Sequence, residues 1–358
     1  MDNQRLKIEL LCQGARIDES GWDYYKRSAG FPVKLDGTLV SVPSHGKYQR
    51  YAFVDQSPFE IRLEEGVWNL YREGQAIREV TVADVPPFYE KETSDGVKMK
   101  KVFQVCGWTC LLTGVVQSCS LQRRGTECRF CGTIYNPVYE GRLDRKTPRQ
   151  LAEAAAEGKK DGMEHIVITS GIMPGEDRGA KILLEAAREI KETVDLPIQA
   201  ELAPPEDLKH LERLLEYVDS VSINVETMDQ EVRQRACPDK SRIPYEDYFS
   251  AWKLAGEVLG EDQVNSWIIA GLGEDDPAIL EGAESLAGAG VFPFLVPLRS
   301  TKGTPYDEVR PPSPDRMEHL TRRTAEIAAE AGLKPERIKA GCLRCSACSA
   351  VRDYMRRI

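Results

Sequence analysis

Residues 166–203 read IVITSGIMPGEDRGAKILLEAAREIKETVDLPIQAELA: an apolar run (IVITSG, 166–171), an amphipathic helical stretch around 178–193 and a second apolar run (PIQAELA, 197–203). Apolar runs of this length that alternate with helices form parallel strands joined by crossovers. The alternation continues in both directions. Downstream come a helix around 206–217, SVSINVE (220–226), a helix around 245–259, VNSWIIAGLGE (264–274), a helix around 276–288, VFPFLVPL (291–298), a helix around 313–331 and ERIKAG (336–341). Upstream, GVVQS leads into Cys119 as the first strand. The expected class is α/β, with a parallel sheet that is either doubly wound or rolled into a barrel, and in both the chemistry gathers at the carboxyl ends of the strands. Cys119, Ser170-Gly171, Glu201, Asn224, Glu226, Gly271 to Glu274, Arg299 to Pro305 and Cys342 all fall at such ends. That placement points to one site at the mouth of a barrel.

Outside this region the pattern changes. Residues 1–98 read as short alternating strands and turns, KLDGTLVSVP and PFEIRLEEGVWNLY among them, and VADVPPFYE has the proline content of a connection. The expected division is an N-terminal β-rich cap at 1–98, a barrel at 99–341 and a short Cys-rich tail at 342–358. The 358 residues carry 48 Lys and Arg against 57 Asp and Glu, a net charge of −9, with 41% hydrophobic residues. This is a globular composition and excludes a disordered or collagen-like chain. The acidity argues against a nucleic-acid partner bound through its phosphates, so a small-molecule partner is expected. The N-terminus, MDNQRLKIELLCQG, lacks a basic head before an apolar run, and no stretch of about 18 apolar residues exists, so the reading is cytoplasmic with no membrane span.

The ten cysteines are unevenly spread. Cys12 and Cys237 stand alone, Cys106, Cys110, Cys119, Cys128 and Cys131 form one group, and Cys342, Cys345 and Cys348 form another. SCSLQRRGTECRFCG (118–132) spaces three of them as Cys119-x8-Cys128-x2-Cys131 on a loop after a strand. Thiolates are soft donors suited to an iron–sulfur cluster or zinc. A closed zinc site takes four ligands, and Cys106 or Cys110 would have to fold back to supply the fourth. Three cysteines on one loop suit a cubane cluster with one iron left open.

With these residues the sequence resembles the radical S-adenosylmethionine (SAM) superfamily, and within it the biotin-synthase-like branch. Family loops usually space the cysteines x3 then x2, so the gap of eight is a departure. The resemblance implies a [4Fe–4S] cluster on Cys119, Cys128 and Cys131 that binds SAM, with Phe130 near the adenine. IVITSGIMPGED resembles the motif whose backbone meets the SAM amino group, which implicates Ser170 and Gly171; an ordinary strand-to-helix turn is the alternative. SINVET resembles the biotin-synthase strand motif facing SAM and its ribose, which implicates Asn224 and Glu226; a salt-bridged rim residue is the alternative for Glu226. WIIAGLGE resembles the glycine-bearing fifth strand beside the adenine, which implicates Gly271 and Gly273. STKGTPYDE resembles the segment after the sixth strand, covering Lys302 to Pro305, with no catalytic role.

The tail carries a second resemblance. In biotin synthases the strand after that segment ends in an arginine that ligates a second cluster, and ERIKAGC puts Cys342 there. Cys342-x2-Cys345-x2-Cys348 then implies a second, auxiliary iron–sulfur cluster, its fourth ligand open among Cys106, Cys110, Cys12, substrate and water, with a zinc knuckle as the alternative. The fold implied is an incomplete TIM-type (β/α) barrel whose gap is closed by the final segment and the N-terminal domain. The activity implied is reductive cleavage of SAM to a 5′-deoxyadenosyl radical that abstracts hydrogen from a small-molecule or lipoyl/carrier-protein-bound substrate. The lead is sulfur insertion of the biotin or lipoyl synthase type; electron transfer by the auxiliary cluster is the alternative. A flavodoxin- or ferredoxin-type electron donor and a partner radical SAM subunit complete that picture. Two narrower resemblances are to biotin-synthase-related proteins that include split lipoyl synthases and to a radical SAM family encoded beside nitrilases. Outside this class stands a two-cluster electron carrier or zinc-stabilised barrel. His45, His165, His210 and His319 read as surface or core residues, and Tyr24 to Arg27 as either a substrate entrance or a turn.

Overall fold

The computed structural model of the chain describes residues 2–17, 30–45, 51–132 and 143–358; Tyr24 to Arg27 and the side chain of His45 lie outside the described residues. The N-terminal region is rich in short strands: β1 Ala15–Ile17, β2 Phe31–Leu35, β3 Thr38–Val42, β4 Ser44–His45, β5 Phe59–Glu64, β6 Val67–Arg72, β7 Gln75–Glu79 and β8 Thr81–Val82. They form two sheets, ordered β4-β1-β5-β6-β7 and β3-β2-β8, over a core of their own that includes Phe31, Phe59, Trp68 and Leu70. The opening stretch departs from the strand reading. Asn3–Gln13 is a helix, and its N-cap Asp2 accepts a hydrogen bond from Gln4 N. Leu6, Ile8 and Leu10 alternate as in a strand, yet this helix is buried on nearly all sides, Lys7 and Glu9 included, so an apolar period of two carries no information there.

The large sheet begins with an antiparallel hairpin, β9 (Gln104–Cys106) and β10 (Cys110–Val116). β11 (His165–Ser170), β12 (Ile198–Leu202), β13 (Ser220–Ile223), β14 (Val264–Ala270) and β15 (Phe292–Pro297) then pair in parallel in chain order. Helices Pro148–Lys160, Ala180–Thr193, Lys209–Leu215, Tyr245–Leu259, Asp276–Gly288 and Pro314–Glu330 accompany them. The first was not expected, although Thr147 and Gln150 form a capping box around Pro148. Side chains divide by parity along each strand. In β12, Ile198, Ala200 and Leu202 join the main core, whereas Gln199 and Glu201 make their hydrogen bonds with the C-terminal tail. The sheet is open, with β9 and β15 at its edges, an incomplete TIM-type barrel of the α/β class.

The expected strand at 336–341 does not form. Pro335–Arg337 is one 3₁₀ turn, and 338–341 joins no sheet. Side chains satisfy its backbone instead. Gln263 Nε2 donates to Arg337 O (3.0 Å), and Gln263 Oε1 accepts from Lys339 N (3.1 Å). Ser220 Oγ donates to Ala340 O (3.1 Å), His165 Nδ1 accepts from Gly341 N (3.1 Å), and Gln199 Oε1 accepts from Cys342 N (3.3 Å). Gly341 has φ 94°, and a Cβ there would collide with the Gln199 side chain. These partners stand at or near the amino ends of β11 to β14, so Cys342 enters from the end opposite to the one expected.

The tail then spans the open side. Ser349 Oγ donates to Leu295 O of β15 (2.6 Å), Cys345 Sγ lies against Gly107 in the β9–β10 turn, and Ser41 N of β3 donates to Ala347 O (2.9 Å). Lys7 fastens it from the N-terminal helix, donating to Ser346 O and pairing with Asp353 at 2.6 Å, with a side chain only 1% exposed. Removing one partner of a buried ion pair leaves an uncompensated charge. Asp353→Ala should therefore lower unfolding stability in urea by about 3 kcal/mol, and Lys7→Met with Asp353→Leu should recover most of that loss; a single-variant loss below about 0.5 kcal/mol would contradict this anchoring role.

Candidate active site: two groups of cysteines in one open barrel

Cys119, Cys128 and Cys131 lie beyond the carboxyl end of β10, each half-buried. Cys119 is the N-cap residue of the short helix Ser120–Arg123, and Ser120 N donates to Ile172 O (2.8 Å). Gly171 lies so close that a Cβ there would sit 2.7 Å from Cys119 Cα, so its lack of a side chain follows from the approach of the cysteine loop. Ser170 ends β11 beside it, in register with Val116.

The long spacer is held by residues 236–242, which sequence reasoning did not single out. Arg129 N donates to Ala236 O (2.8 Å), and Thr126 Oγ1 donates to Asp239 Oδ2 (2.6 Å). The Cys128 thiol is pushed well above its usual range by a hydrogen bond with Cys237 and by burial. Lys240 completes the group, 2.5 Å from Glu226 Oε1. Burial pulls its ammonium down, but Glu226 and the neighbouring Tyr248, Cys128 and Cys237 outweigh that and hold it above the usual lysine range. Phe130 packs half-buried against the main core.

Asn224 and Glu226 continue past the end of β13. Asn224 Oδ1 accepts from Ser222 Oγ (2.7 Å) and Trp267 N (3.2 Å). Glu226 has φ 71° and is held on both sides by backbone bonds to β14, its N–H to Trp267 O (3.1 Å) and its O from Ile269 N (2.8 Å). Gly271 and Gly273 have φ 108° and 120°, and Glu274 Oε1 accepts from Gly271 N (2.8 Å), so the G-L-G-E turn needs both glycines for its own shape. The Nε1–H of Trp267 is buried without a hydrogen-bond partner among the described residues.

The second group is deeper. Cys342, Cys345 and Cys348 come from the tail, and Cys106 and Cys110 from the β9–β10 hairpin at the end of β10 remote from Cys119. Cys342 Sγ donates to Glu201 Oε1 at 3.4 Å. Burial pushes the Glu201 carboxyl up to about 7, against the hydrogen bond from Cys342; Glu226 raises it further and Lys240 lowers it. Burial followed by Glu201 and the other thiols pushes Cys342 well above the usual thiol range, and burial followed by Cys348 pushes Cys345 up to about 11. Glu201 therefore bonds to the tail group and feels the Glu226–Lys240 pair that stands beside Cys128. Its position at a strand end was legible in PIQAE; its burial and its thiol partner were not. Among the described residues no three His, Cys, Asp or Glu side chains are gathered so as to hold a metal ion as they stand.

Residues 117–286 match the radical SAM superfamily. That region of the chain is a radical SAM domain. That family implies a [4Fe–4S] cluster and SAM. The thiol donor set of Cys119, Cys128 and Cys131 fits such a cluster, being soft, half-buried and at the strand ends. Among curated relatives, the chain is 31% identical over 172 residues to lipoyl synthase of Thermus thermophilus, covering 46% of this chain and 50% of that protein. It is 25% identical over 231 residues to bacteriochlorophyllide c C-7(1)-hydroxylase of Chlorobaculum limnaeum, covering 59% of this chain and 57% of that protein. The chain thus spans little more than half the length of these relatives. Methylornithine synthase, a solved structure, aligns at a TM-score of 0.49 with 18% identity over 62% of each chain. Among the described residues no helix is long and apolar enough to cross a membrane.

His165, expected only as a surface or core residue, is buried and supports the Cys342 loop through Gly341 N. Burial, with Arg344 beside it, holds its imidazole down at about 3 against an ordinary 6.5. Between these values the unfolded chain binds a proton that the folded chain refuses, so this stability is present above pH 6.5 and is lost as the pH falls toward 3. In urea unfolding of the apo-protein, moving from pH 7.5 to pH 5 should cost the parent about 2 kcal/mol more than His165→Asn, which keeps an acceptor; equal losses would contradict the assignment.

Proposed function

We propose that this radical SAM enzyme abstracts hydrogen from a small or carrier-bound substrate and uses an auxiliary iron–sulfur cluster on Cys342, Cys345 and Cys348 for sulfur insertion. One observation carries the reading: a second group of thiols, separate from the SAM-cluster loop, meets Glu201, on which Glu226 and Lys240 from beside Cys128 also act. When bound, the two clusters supply the electron that cleaves SAM to methionine and a 5′-deoxyadenosyl radical, and a sulfide for the substrate carbon. In this proposal Ser170, Gly171, Asn224, Glu226, Gly271, Gly273 and Phe130 surround SAM.

The chain's own groups prepare that site. Lys240 pairs with Glu226 and acts on Cys128 in the direction of the thiolate, against the Cys237 hydrogen bond and the burial that hold that thiol protonated. Glu201 Oε1 accepts from the Cys342 thiol and is the nearest acceptor for the proton that ligation releases. Trp267 Nε1–H is a buried donor awaiting a partner, suited to orienting a polar group of substrate or SAM. Reducing equivalents come from a flavodoxin- or ferredoxin-type donor, and a partner radical SAM subunit is part of the proposal. An auxiliary cluster that instead accepts an electron from the product radical would yield an oxidised product without new sulfur.

The test is anaerobic reconstitution with SAM and dithionite. The parent should form 5′-deoxyadenosine, Cys119→Ala should abolish it, and Cys345→Ala with Cys348→Ala should retain it while losing sulfur-bearing product. No 5′-deoxyadenosine from a parent with full iron would refute the reading.

A further inference from the structure

The fourth ligand of the auxiliary cluster is open on sequence alone, and three cysteines compete for it. Cys12 is buried beside Arg5, Glu9 and Arg299, with no tail cysteine among the charges acting on it. Cys106 and Cys110 are register partners across the β9–β10 hairpin, both buried, at the amino end of the first parallel strand. The turn between them passes through Gly107 at φ 61°, and a Cβ there would collide with Cys345 Sγ, so the tail thiol lies against the hairpin backbone one residue from Cys106. Ser41 N holds Ala347 O from the other side, which fixes the loop between Cys345 and Cys348 against the same hairpin region. The two hairpin thiols also differ in what surrounds them. Cys106 adjoins Gly107, against which Cys345 Sγ lies, whereas Cys110 follows three residues later across the turn.

Resting on the auxiliary-cluster reading, we propose that Cys106 is the fourth thiolate of that cluster, completing Cys342, Cys345 and Cys348, with Cys110 left as an unligated thiol. On ligation the Cys106 thiol releases its proton to solvent as its sulfur binds iron, with no change in oxidation state. Four thiolates leave no iron vacant, so substrate meets this cluster at a sulfide and not at a metal. The bond also joins the β9–β10 edge of the open sheet to the tail that crosses from β15.

The test uses the full chain with Cys119→Ala, Cys128→Ala and Cys131→Ala, so that only the auxiliary cluster remains, read by Mössbauer iron count and by electron paramagnetic resonance of the reduced protein. This parent should hold about four irons per chain. Adding Cys106→Ala should change the resonance and let the cluster fall to three irons on mild oxidation. Cys106→Ser should hold four irons with a shifted resonance, and Cys110→Ala should leave both readouts unchanged. An unchanged resonance in Cys106→Ala, or a change confined to Cys110→Ala, would overturn the assignment while leaving the auxiliary cluster intact. Full iron with an unaltered resonance in Cys345→Ala would overturn the auxiliary cluster itself.

Discussion

The site depends on a set of polar side chains that the open sheet turns toward the tail. Parallel strands covered on both faces are ordinarily apolar throughout. Here His165, Gln199, Ser220 and Gln263 stand at or near the amino ends of successive strands, and between them they satisfy five backbone groups of residues 337–342. Buried amides and imidazoles without partners would be costly, and so would a buried extended backbone. Each cancels the cost of the other. The result fixes where the chain enters the barrel and therefore where Cys342 is delivered.

Much of the fold was legible because local and tertiary preferences agree. Five of the expected helices appear within a few residues of their predicted bounds, and the strands from IVITSG to VFPFLVPL appear in parallel and in order. Legibility failed where backbone partners are side chains or where burial is uniform. ERIKAG has the length and flanks of a strand, but nothing local tells that Gln263, Ser220 and His165 will take its hydrogen bonds. The N-terminal helix misleads for the opposite reason, since its Lys7 and Glu9 are buried along with its leucines.

The candidate site divides in the same way. The cysteine spacings and the glycines of G-L-G-E were readable as motifs, and the structure gives them concrete constraints: Gly171 against Cys119 Cα, and φ above 100° at Gly271 and Gly273. The cluster of Cys237, Lys240 and Glu226 around Cys128 was not readable, because a lone cysteine and a lysine far along the chain carry no spacing signal. Cys106 and Cys110 were readable only as cysteines before the first strand, open to either group. The hairpin sets them at the other end of β10, facing the tail.

Two thiol groups at opposite ends of one open barrel, with Glu201 bonded to one and coupled to the Glu226–Lys240 pair beside the other, are the core of this account. Mössbauer spectroscopy of the anaerobically reconstituted wild-type chain tests it most directly. The account predicts about eight irons per chain in two distinguishable cubane clusters, only one of which changes its spectrum when SAM is added. A single cluster of about four irons, all of it responsive to SAM, would contradict it.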